Sequence, residues 1–242
     1  MEIDRVKAPL VLLPGLLCDA QLWRAQIEAL GQRIEPWVAD LGRDDTIAGM
    51  ARRVLAETPF EKFSLCGLSM GGYVALEVVR QAPQRVQRLA LLDTQAIAET
   101  PPARERRLAL VALAKGGKFS LVIERLLPLE LHAPRLADAA LVGVIKAMAH
   151  EVGESAYYRQ QQAILERPDA TPSLPAITCP TLVLCGDEDQ LTPRARHEEM
   201  AARIPGATLI VLPECGHMST LEKPEEVNRA LGAWLDLPSP SG

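Results

Sequence analysis

The length, composition and charge of this chain exclude several classes of protein. Its 242 residues are 48% hydrophobic and 24% charged, and a net charge of −5 argues against a surface for nucleic acid or for an anionic membrane. The apolar run at residues 8–18 contains two prolines and is far shorter than the ~20 residues of a membrane-spanning helix, and no signal peptide is recognisable. Five cysteines without metal-type spacing favour reduced, buried thiols in a cytoplasmic protein.

Short apolar runs alternate with amphipathic stretches along most of the chain. Strands are predicted at residues 10–13, 36–39, 63–66, 89–92, 181–185 and 208–212, and helices at 21–30, 70–81, 198–204 and 224–235. The strand segments are bounded by Gly, Pro or Asp, which is typical of fully buried parallel strands. This order predicts an α/β fold, a mostly parallel sheet of about six strands with helices on both faces.

Between residues 97 and 170 the alternation stops, and only helical patterns occur. An all-helical insertion between two strands is expected to form a cap over one end of the sheet, although extra outer-layer helices would produce the same pattern. The sequence therefore predicts a core of residues 1–96 and 171–242 with a helical cap at 97–170. Because only residues 1–7 precede the first strong strand, no leading β-hairpin is expected.

A G-x-S-x-G motif lies between a predicted buried strand and a predicted helix, with Ser69 at its centre. At such a junction a sharp, strained turn holds the serine oxygen above the edge of the sheet. Gly67 and Gly71 are small enough for the turn to tighten. Ser69 is therefore the predicted nucleophile; the alternative is a plain helix N-cap.

A serine nucleophile needs a base and a carboxylate that orients the base. His217 follows the strand at 208–212 in a Gly-containing loop, whereas the three other histidines lie in helical segments. Asp189 follows the strand at 181–185 and is the predicted acid; Asp187 and Asp93 are alternatives at the same sheet edge. A histidine with an unshifted pKa loses its proton at about pH 6.5, so activity is expected to rise through that pH.

The backbone N–H groups of Leu16 and Met70 are the predicted oxyanion hole. The first belongs to the loop after the strand at 10–13, and the second follows the nucleophile directly. With Leu16 and Met70, four more apolar side chains are predicted to line the substrate pocket: Leu17, Trp23, Met148 and Met218. Each of these side chains could equally belong to the core.

Four segments in combination resemble the α/β-hydrolase superfamily: LPGLLCD at 13–19, GLSMGG at 67–72, GDEDQLTP at 186–193 and GHMSTLEKP at 216–224. The resemblance spans essentially the whole chain. It looks closest to small bacterial carboxylesterases, 3-oxoadipate enol-lactonases and pimeloyl-carrier-protein methyl ester esterases. It implies a catalytic triad in the chain order Ser69, Asp189, His217 and a helical cap.

These observations favour hydrolysis of a carboxylic ester of a small or medium acyl group through an acyl-enzyme. The same triad would also serve enol-lactones, thioesters or carbon–carbon bonds, and a non-catalytic ligand receptor is a further alternative. Neither a G-x-G-x-x-G turn nor a phosphate-loop lysine is present, so no cofactor or metal is implied. Arginines in the insertion could meet an acyl carrier protein or a substrate carboxylate, or could simply be solvated.

Overall fold

Six strands form one sheet in residues 7–238, the part of the chain that the computed structural model describes. They are β1 (Ala8–Leu13), β2 (Ile34–Val38), β3 (Phe63–Leu68), β4 (Val86–Leu92), β5 (Thr181–Gly186) and β6 (Thr208–Leu212). Their order is β2-β1-β3-β4-β5-β6, and every neighbouring pair is parallel. The predicted parallel sheet is confirmed. Whether a hairpin precedes β1 stays a prediction, because residues 1–6 lie outside the described part of the chain.

Nine α-helices accompany the sheet in the described range. They are α1 (Arg24–Leu30), α2 (Ile47–Glu57), α3 (Met70–Gln81), α4 (Pro101–Lys115), α5 (Phe119–Glu130), α6 (Ala139–Leu165), α7 (Arg194–Arg203), α8 (Ser219–Glu222) and α9 (Pro224–Leu235). Successive side chains of a strand point to opposite faces of the sheet, so β1 contributes side chains to two hydrophobic cores. Val11 and Leu13 pack with α2, α3 and α7, whereas Leu10 and Leu12 pack with α1 and α9.

The strand order places a crevice at the carboxyl ends of β1 and β3. The chain runs from β1 outward to β2 and then returns to the other side of β1 for β3, so the two loops that follow β1 and β3 diverge. In open α/β sheets ligands bind at such a reversal of strand order. The topology therefore puts Ser69, which follows β3, beside the loop that follows β1.

Helices α4, α5 and α6 occupy the predicted insertion between β4 and β5. Their apolar side chains form a separate cluster that includes Leu110, Val122 and Tyr157, together with Leu17 from the loop after β1. The long helix α6 is broken at Gly153, whose φ of +79° lies outside the helical region. The insertion thus packs on the loop after β1, at the carboxyl edge of the sheet.

Residues 7–238 contain neither a membrane-spanning helix nor a cluster of metal-ligating side chains. No helix there is both long and apolar enough to cross a membrane. No group of three or more His, Cys, Asp or Glu side chains in the same range is arranged to hold a metal ion. The five cysteines are all buried and unpaired.

Candidate active site

Ser69 occupies a strained turn between β3 and α3. Its backbone has φ +55° and ψ −117°, a conformation that costs a residue with a side chain about 1–3 kcal/mol. A Cβ atom on Gly67 would collide with the carbonyl oxygen of Gly71, and one on Gly71 would collide with the carbonyl oxygen of Leu13. Both motif glycines are therefore required by close backbone approach, and the turn has the nucleophile-elbow form that the motif predicts.

Hydrogen bonds from β4 and the segment after it fix the strained turn. The N–H of Ser69 donates to the carbonyl of Leu92 at 3.0 Å, and the hydroxyl of Thr94 donates to the carbonyl of Ser69 at 2.7 Å. The N–H of Thr94 in turn donates to Nε2 of the fully buried His197 at 2.9 Å. Burial lowers the pKa of His197 to about 4, so its ring stays neutral and serves as an acceptor.

A chain of hydrogen bonds joins Ser69, His217 and Asp189. Nε2 of His217 lies 2.8 Å from Oγ of Ser69, and Nδ1 lies 2.8 Å from Oδ2 of Asp189. The side chains of His217 and Asp189 are 4% and 0% exposed. Because the carboxylate accepts the proton of Nδ1, Nε2 of the neutral ring is left to accept the hydroxyl proton of Ser69. The structure thus brings together the three residues that the sequence singled out.

Thr192 holds the carboxylate of Asp189 in place. Oδ1 of Asp189 accepts the N–H groups of Leu191 and Thr192, both at 2.9 Å, and Oδ2 accepts the hydroxyl of Thr192 at 2.6 Å. Burial raises the pKa of Asp189, but the charge of His217 and these hydrogen bonds lower it by more, to below its ordinary value. The carboxylate therefore stays ionised beside the imidazole. Nothing in the sequence pattern had singled out Thr192.

Neither alternative acid is hydrogen-bonded to His217. Oδ1 of Asp187 accepts the N–H of Cys215 at 3.4 Å. Asp93 is fully buried, accepts the N–H of Gly186 at 3.1 Å and accepts the hydroxyl of Ser219. The geometry therefore favours Asp189 over Asp187 and Asp93.

Three carboxyl groups act on the pKa of His217. Burial of the ring lowers it, but the charge and hydrogen bond of Asp189, joined by the charges of Asp93 and Glu130, raise it to about 9. This value lies well above that of an unshifted histidine, about 6.5.

If His217 is the base, kcat/KM is expected to rise about tenfold for each pH unit on the acid side and to reach half its maximum near pH 9. The rise follows because only the deprotonated ring can take a proton from Ser69. A pH-stat assay of an alkyl ester, corrected for hydrolysis without enzyme, measures the profile. A plateau that is already complete at neutral pH would contradict the raised pKa.

Two backbone N–H groups beside Ser69 have no acceptor among the described residues. They belong to Leu16 and to Met70, the first residue of α3, where helices have unpaired N–H groups. A Cβ atom on Gly15 would lie 3.4 Å from Cβ of Ser69, which shows how closely the loop after β1 approaches the nucleophile. The two predicted oxyanion donors therefore lie on the two segments that flank Ser69.

Gln160 of α6 braces the loop after β1. Its Oε1 accepts the N–H of Leu17 at 3.1 Å, and its Nε2 donates to the carbonyl of Leu41 at 3.4 Å. Leu17 has φ +58°, and Gln160 is 1% exposed. A buried side chain of the insertion thus fixes the peptide next to the N–H of Leu16.

Gln160→Leu is expected to lower kcat about 10–100-fold with little change in KM. The variant leaves the N–H of Leu17 buried without an acceptor, and the loop must shift to satisfy it. Gln160→Glu keeps an acceptor and should restore part of kcat, and Gln162→Leu, an exposed glutamine on the same helix, is the matched control. Unchanged kcat in a folded Gln160→Leu variant would show that the brace is dispensable.

Glu222 holds the loop that carries His217. Its Oε1 accepts the N–H groups of Gly216 at 3.0 Å and Met218 at 3.3 Å, on either side of the histidine. Its Oε2 accepts the N–H of His132 at 2.9 Å, which ties this loop to the insertion. Glu222 was not predicted from the sequence because a helical glutamate usually faces solvent, whereas this one is 4% exposed.

The cavity beside Ser69 has an apolar wall and three charged side chains. Its apolar lining consists of Leu16, Leu68, Tyr73, Leu110, Leu126, Ile164, Leu191 and Met218. The charged residues are Arg106 and Arg107 of α4 and Glu130 of α5. Its free volume is about 30 Å³. Of the predicted pocket residues, Leu16 and Met218 line this cavity.

Three other residues predicted to line the pocket lie elsewhere. Trp23 and Met148 are fully buried and pack in the core on the Leu10 face of the sheet. Leu17, 4% exposed, turns into the cluster beneath the insertion, where Gln160 binds its N–H. Met70 is fully buried, so its N–H rather than its side chain is available to the site. The predicted lining contained no charged side chain. Arg106 and Arg107 belong to the arginines of the insertion that were weighed as contacts of a substrate carboxylate or an acyl carrier protein, whereas Glu130 was not predicted.

Comparison with known proteins identifies the family. The chain matches the Alpha/beta hydrolase family over residues 10–230. A pimeloyl-(acyl-carrier protein) methyl ester esterase from Nitrosomonas europaea is 27% identical over 230 residues, which cover 90% of this chain and 91% of that protein. A protein from Variovorax paradoxus, provisionally named carbamate hydrolase RutD, is 31% identical over 251 residues, which cover 93% of this chain and 90% of the relative.

A solved structure shares the fold. The malate-bound structure of a thermophilic esterase from Thermogutta terrifontis has a TM-score of 0.84 and 30% identity, and the match covers 95% of this chain and 90% of that one. The family resemblance carried by the sequence motifs is thus confirmed. The chain belongs to the α/β-hydrolase family.

Proposed function

We propose that the protein hydrolyses a carboxylic ester, with Ser69 as nucleophile, His217 as general base and Asp189 as the acid that orients it. The observation that carries this proposal is the buried chain of two 2.8 Å hydrogen bonds from Oγ of Ser69 through His217 to Asp189. A hydroxyl is a weak nucleophile at neutral pH, and a hydrogen-bonded imidazole is the usual means of activating it.

In the proposed reaction Oγ of Ser69 attacks the ester carbonyl while Nε2 of His217 takes the hydroxyl proton. The N–H groups of Leu16 and Met70 bind the oxyanion, and each such donor is typically worth about 3–4 kcal/mol in the transition state. The imidazolium, stabilised by Asp189, then donates its proton to the departing alcohol. Water attacks the acyl-enzyme with His217 again as base, and the acid and free Ser69 result.

Two relatives favour an ester over other bonds. The Nitrosomonas europaea protein is named a methyl ester esterase, and the Thermogutta terrifontis structure is that of an esterase. The provisional name of the Variovorax paradoxus protein points to a carbamate instead. Hydrolysis of p-nitrophenyl esters with acyl chains from acetyl to decanoyl, by wild type beside Ser69→Ala, tests the proposal. We expect turnover by the wild type that the variant lacks; no turnover of any ester would overturn it.

We propose further that residues 97–170 act as a cap that opens to admit substrate. The free volume at Ser69, about 30 Å³, is far below the roughly 300–1,000 Å³ of a typical small-molecule pocket. A shift of α4, α5 or α6 would enlarge it for an ester. Gly117, between α4 and α5, and Gly153, within α6, have φ of +75° and +79° and are suitable points for such a movement.

A second candidate substrate is an acyl group borne on an acyl carrier protein. A groove of about 400 Å³ between α4 and α5 is lined by Arg106 and Arg125, and neither arginine forms an ion pair with another described residue. Arg106 and Leu110 line both this groove and the cavity at Ser69. An acidic carrier would complement these charges, and the Nitrosomonas europaea relative is named for a carrier-bound ester.

The state of the cysteines supports a cytoplasmic location, which we also propose. All five are free and buried within the described residues. Such thiols persist where the cell keeps its proteins reduced.

A further inference from the structure

Glu130, the last residue of α5, lines the cavity that contains Ser69 and His217, and its charge acts on the pKa of His217. The residue is only 9% exposed. Its backbone carbonyl accepts the N–H groups of His217 at 2.8 Å and Met218 at 3.2 Å, which fixes its position beside the loop that carries the histidine. Glu130 is therefore held beside the loop of the histidine, with most of its surface shielded from bulk solvent.

The carboxyl group of Glu130 makes no hydrogen bond and no ion pair with any residue of the described range. Arg107, which lines the same cavity, is occupied by Glu99 at 2.9 Å and Gln161 at 3.2 Å, and Arg106 forms no ion pair with Glu130. A buried carboxyl group without a partner is unfavourable for folding. Such a group calls for a functional explanation.

The other buried carboxylates around the histidine differ from Glu130 in this respect. Asp93 accepts two hydrogen bonds, Glu222 three and Asp189 four, counting the one from His217. For each of these three carboxylates, the hydrogen bonds that it accepts offset the cost of its burial. Glu130 alone among these four has its oxygens free.

The triad leaves no role for this carboxyl group in proton transfer. Nε2 of His217 is bonded to Ser69 and Nδ1 to Asp189, so both ring nitrogens are occupied. A partner for Glu130 has to come from whatever fills the cavity. In the empty site that partner is water, and in the enzyme–substrate complex a group of the substrate can replace it.

We propose that Glu130 binds a hydrogen-bond donor of the substrate, a hydroxyl or ammonium group close to the scissile bond, and so makes the enzyme selective for polar esters. This inference rests on the proposed esterase function. Burial raises the pKa of Glu130 to about 7, while the charge of His217 lowers it. A hydroxyl can donate to the ionised carboxylate or accept from the neutral acid, so it binds in both states, whereas an ammonium requires the ionised state.

Matched ester pairs test the selectivity on both sides of the scissile bond. On the alcohol side, 2-hydroxyethyl acetate is compared with propyl acetate; on the acyl side, methyl 3-hydroxypropanoate is compared with methyl butanoate. For each pair, the ratio of the two kcat/KM values is divided by the ratio of the two rates of alkaline hydrolysis, so that differences in the intrinsic reactivity of the esters cancel. We expect the wild type to prefer the hydroxyl ester about tenfold in at least one pair, the effect of one hydrogen bond to an ionisable group.

Glu130→Leu is expected to abolish this preference, and Glu130→Gln to keep part of it because the amide oxygen still accepts. Glu124→Leu, an exposed glutamate on the same helix, should leave it unchanged. Neither Glu130 variant should lower the melting temperature, because the wild-type carboxyl group has no partner to lose. A preference that survives in Glu130→Leu, or its absence from the wild type, would overturn the inference. Either result would leave ester hydrolysis itself, and thus the proposed function, intact.

Discussion

Ser69→Ala is expected to lower kcat by about 10⁶-fold, the loss seen when a triad nucleophile is removed from a serine hydrolase. The variant retains the cavity and the two oxyanion donors but has no oxygen to form the acyl-enzyme. Within residues 7–238 the hydroxyl of Ser69 is hydrogen-bonded to His217 alone, so the variant should fold normally. Its backbone strain persists, because alanine at φ +55° is as constrained as serine. Release of p-nitrophenol and a thermal melt measure the two effects.

Ser64→Ala is the matched control for this experiment. Ser64 lies on β3, the strand that leads to Ser69, is 1% exposed and forms no hydrogen bond with Ser69, Asp189 or His217, so its variant should keep wild-type kcat. Covalent labelling of the wild type with a fluorophosphonate, followed by peptide mass spectrometry, should place the adduct on Ser69. Substantial turnover by Ser69→Ala, or an adduct on another serine, would mean that the nucleophile is misassigned.

The sheet and the turn at Ser69 were predictable because their signals are local. A short apolar run bounded by turn residues is enough to indicate a buried strand, and β3 and β5 are buried along their whole length. The weakest predicted strand, at 36–39, is Ile34–Val38 in the structure. It lies at the edge of the sheet and is half exposed, so its composition carries a weaker signal.

The buried polar side chains around the site, Gln160, Glu130 and Glu222, could not be predicted because their positions depend on contacts between segments that are distant in the sequence. Gln160 lies 143 residues from Leu17, and nothing in its own helix shows that it faces the loop after β1. Glu130 and Glu222 resemble ordinary solvent-facing glutamates in amphipathic helices. Their burial follows from the insertion, whose helices cover a polar loop rather than an apolar core.

Apolar pocket residues were hard to predict for a related reason. Trp23 and Met148 have the composition of a pocket wall, but large apolar side chains serve equally well in a core, and here they do. The pKa of His217 likewise depends on the charges of Asp93, directly after β4, and of Glu130, at the end of α5. Neither charge is adjacent to His217 in the sequence, so an unshifted value was the only expectation available.

Asp189→Asn is expected to lower kcat by about 10⁴-fold, because it places the imidazole proton on the wrong nitrogen. Oδ1 of Asp189 accepts two backbone N–H groups, so the amide oxygen of the asparagine will occupy that position. The amide nitrogen then faces Nδ1 of His217 and donates to it. Nε2 has to carry the ring proton, and it can no longer accept the proton of Ser69.

Asp93→Asn separates this effect from a general loss of negative charge near the ring. Asp93 is as deeply buried as Asp189, but it accepts from Gly186 and Ser219 rather than from His217. Its variant should therefore keep far more kcat than Asp189→Asn. In Asp189→Asn the acid limb of the pH profile should move to lower pH, because the variant removes the charge and the hydrogen bond that raise the pKa of His217 most. Burial holds the pKa of the Asp93 carboxyl well above its ordinary value, so Asp93→Asn should move the limb less. If Asp93→Asn were instead the more damaging change, Asp93 would be the acid of the triad, and the hydrogen bond between Asp189 and His217 would have only a supporting role.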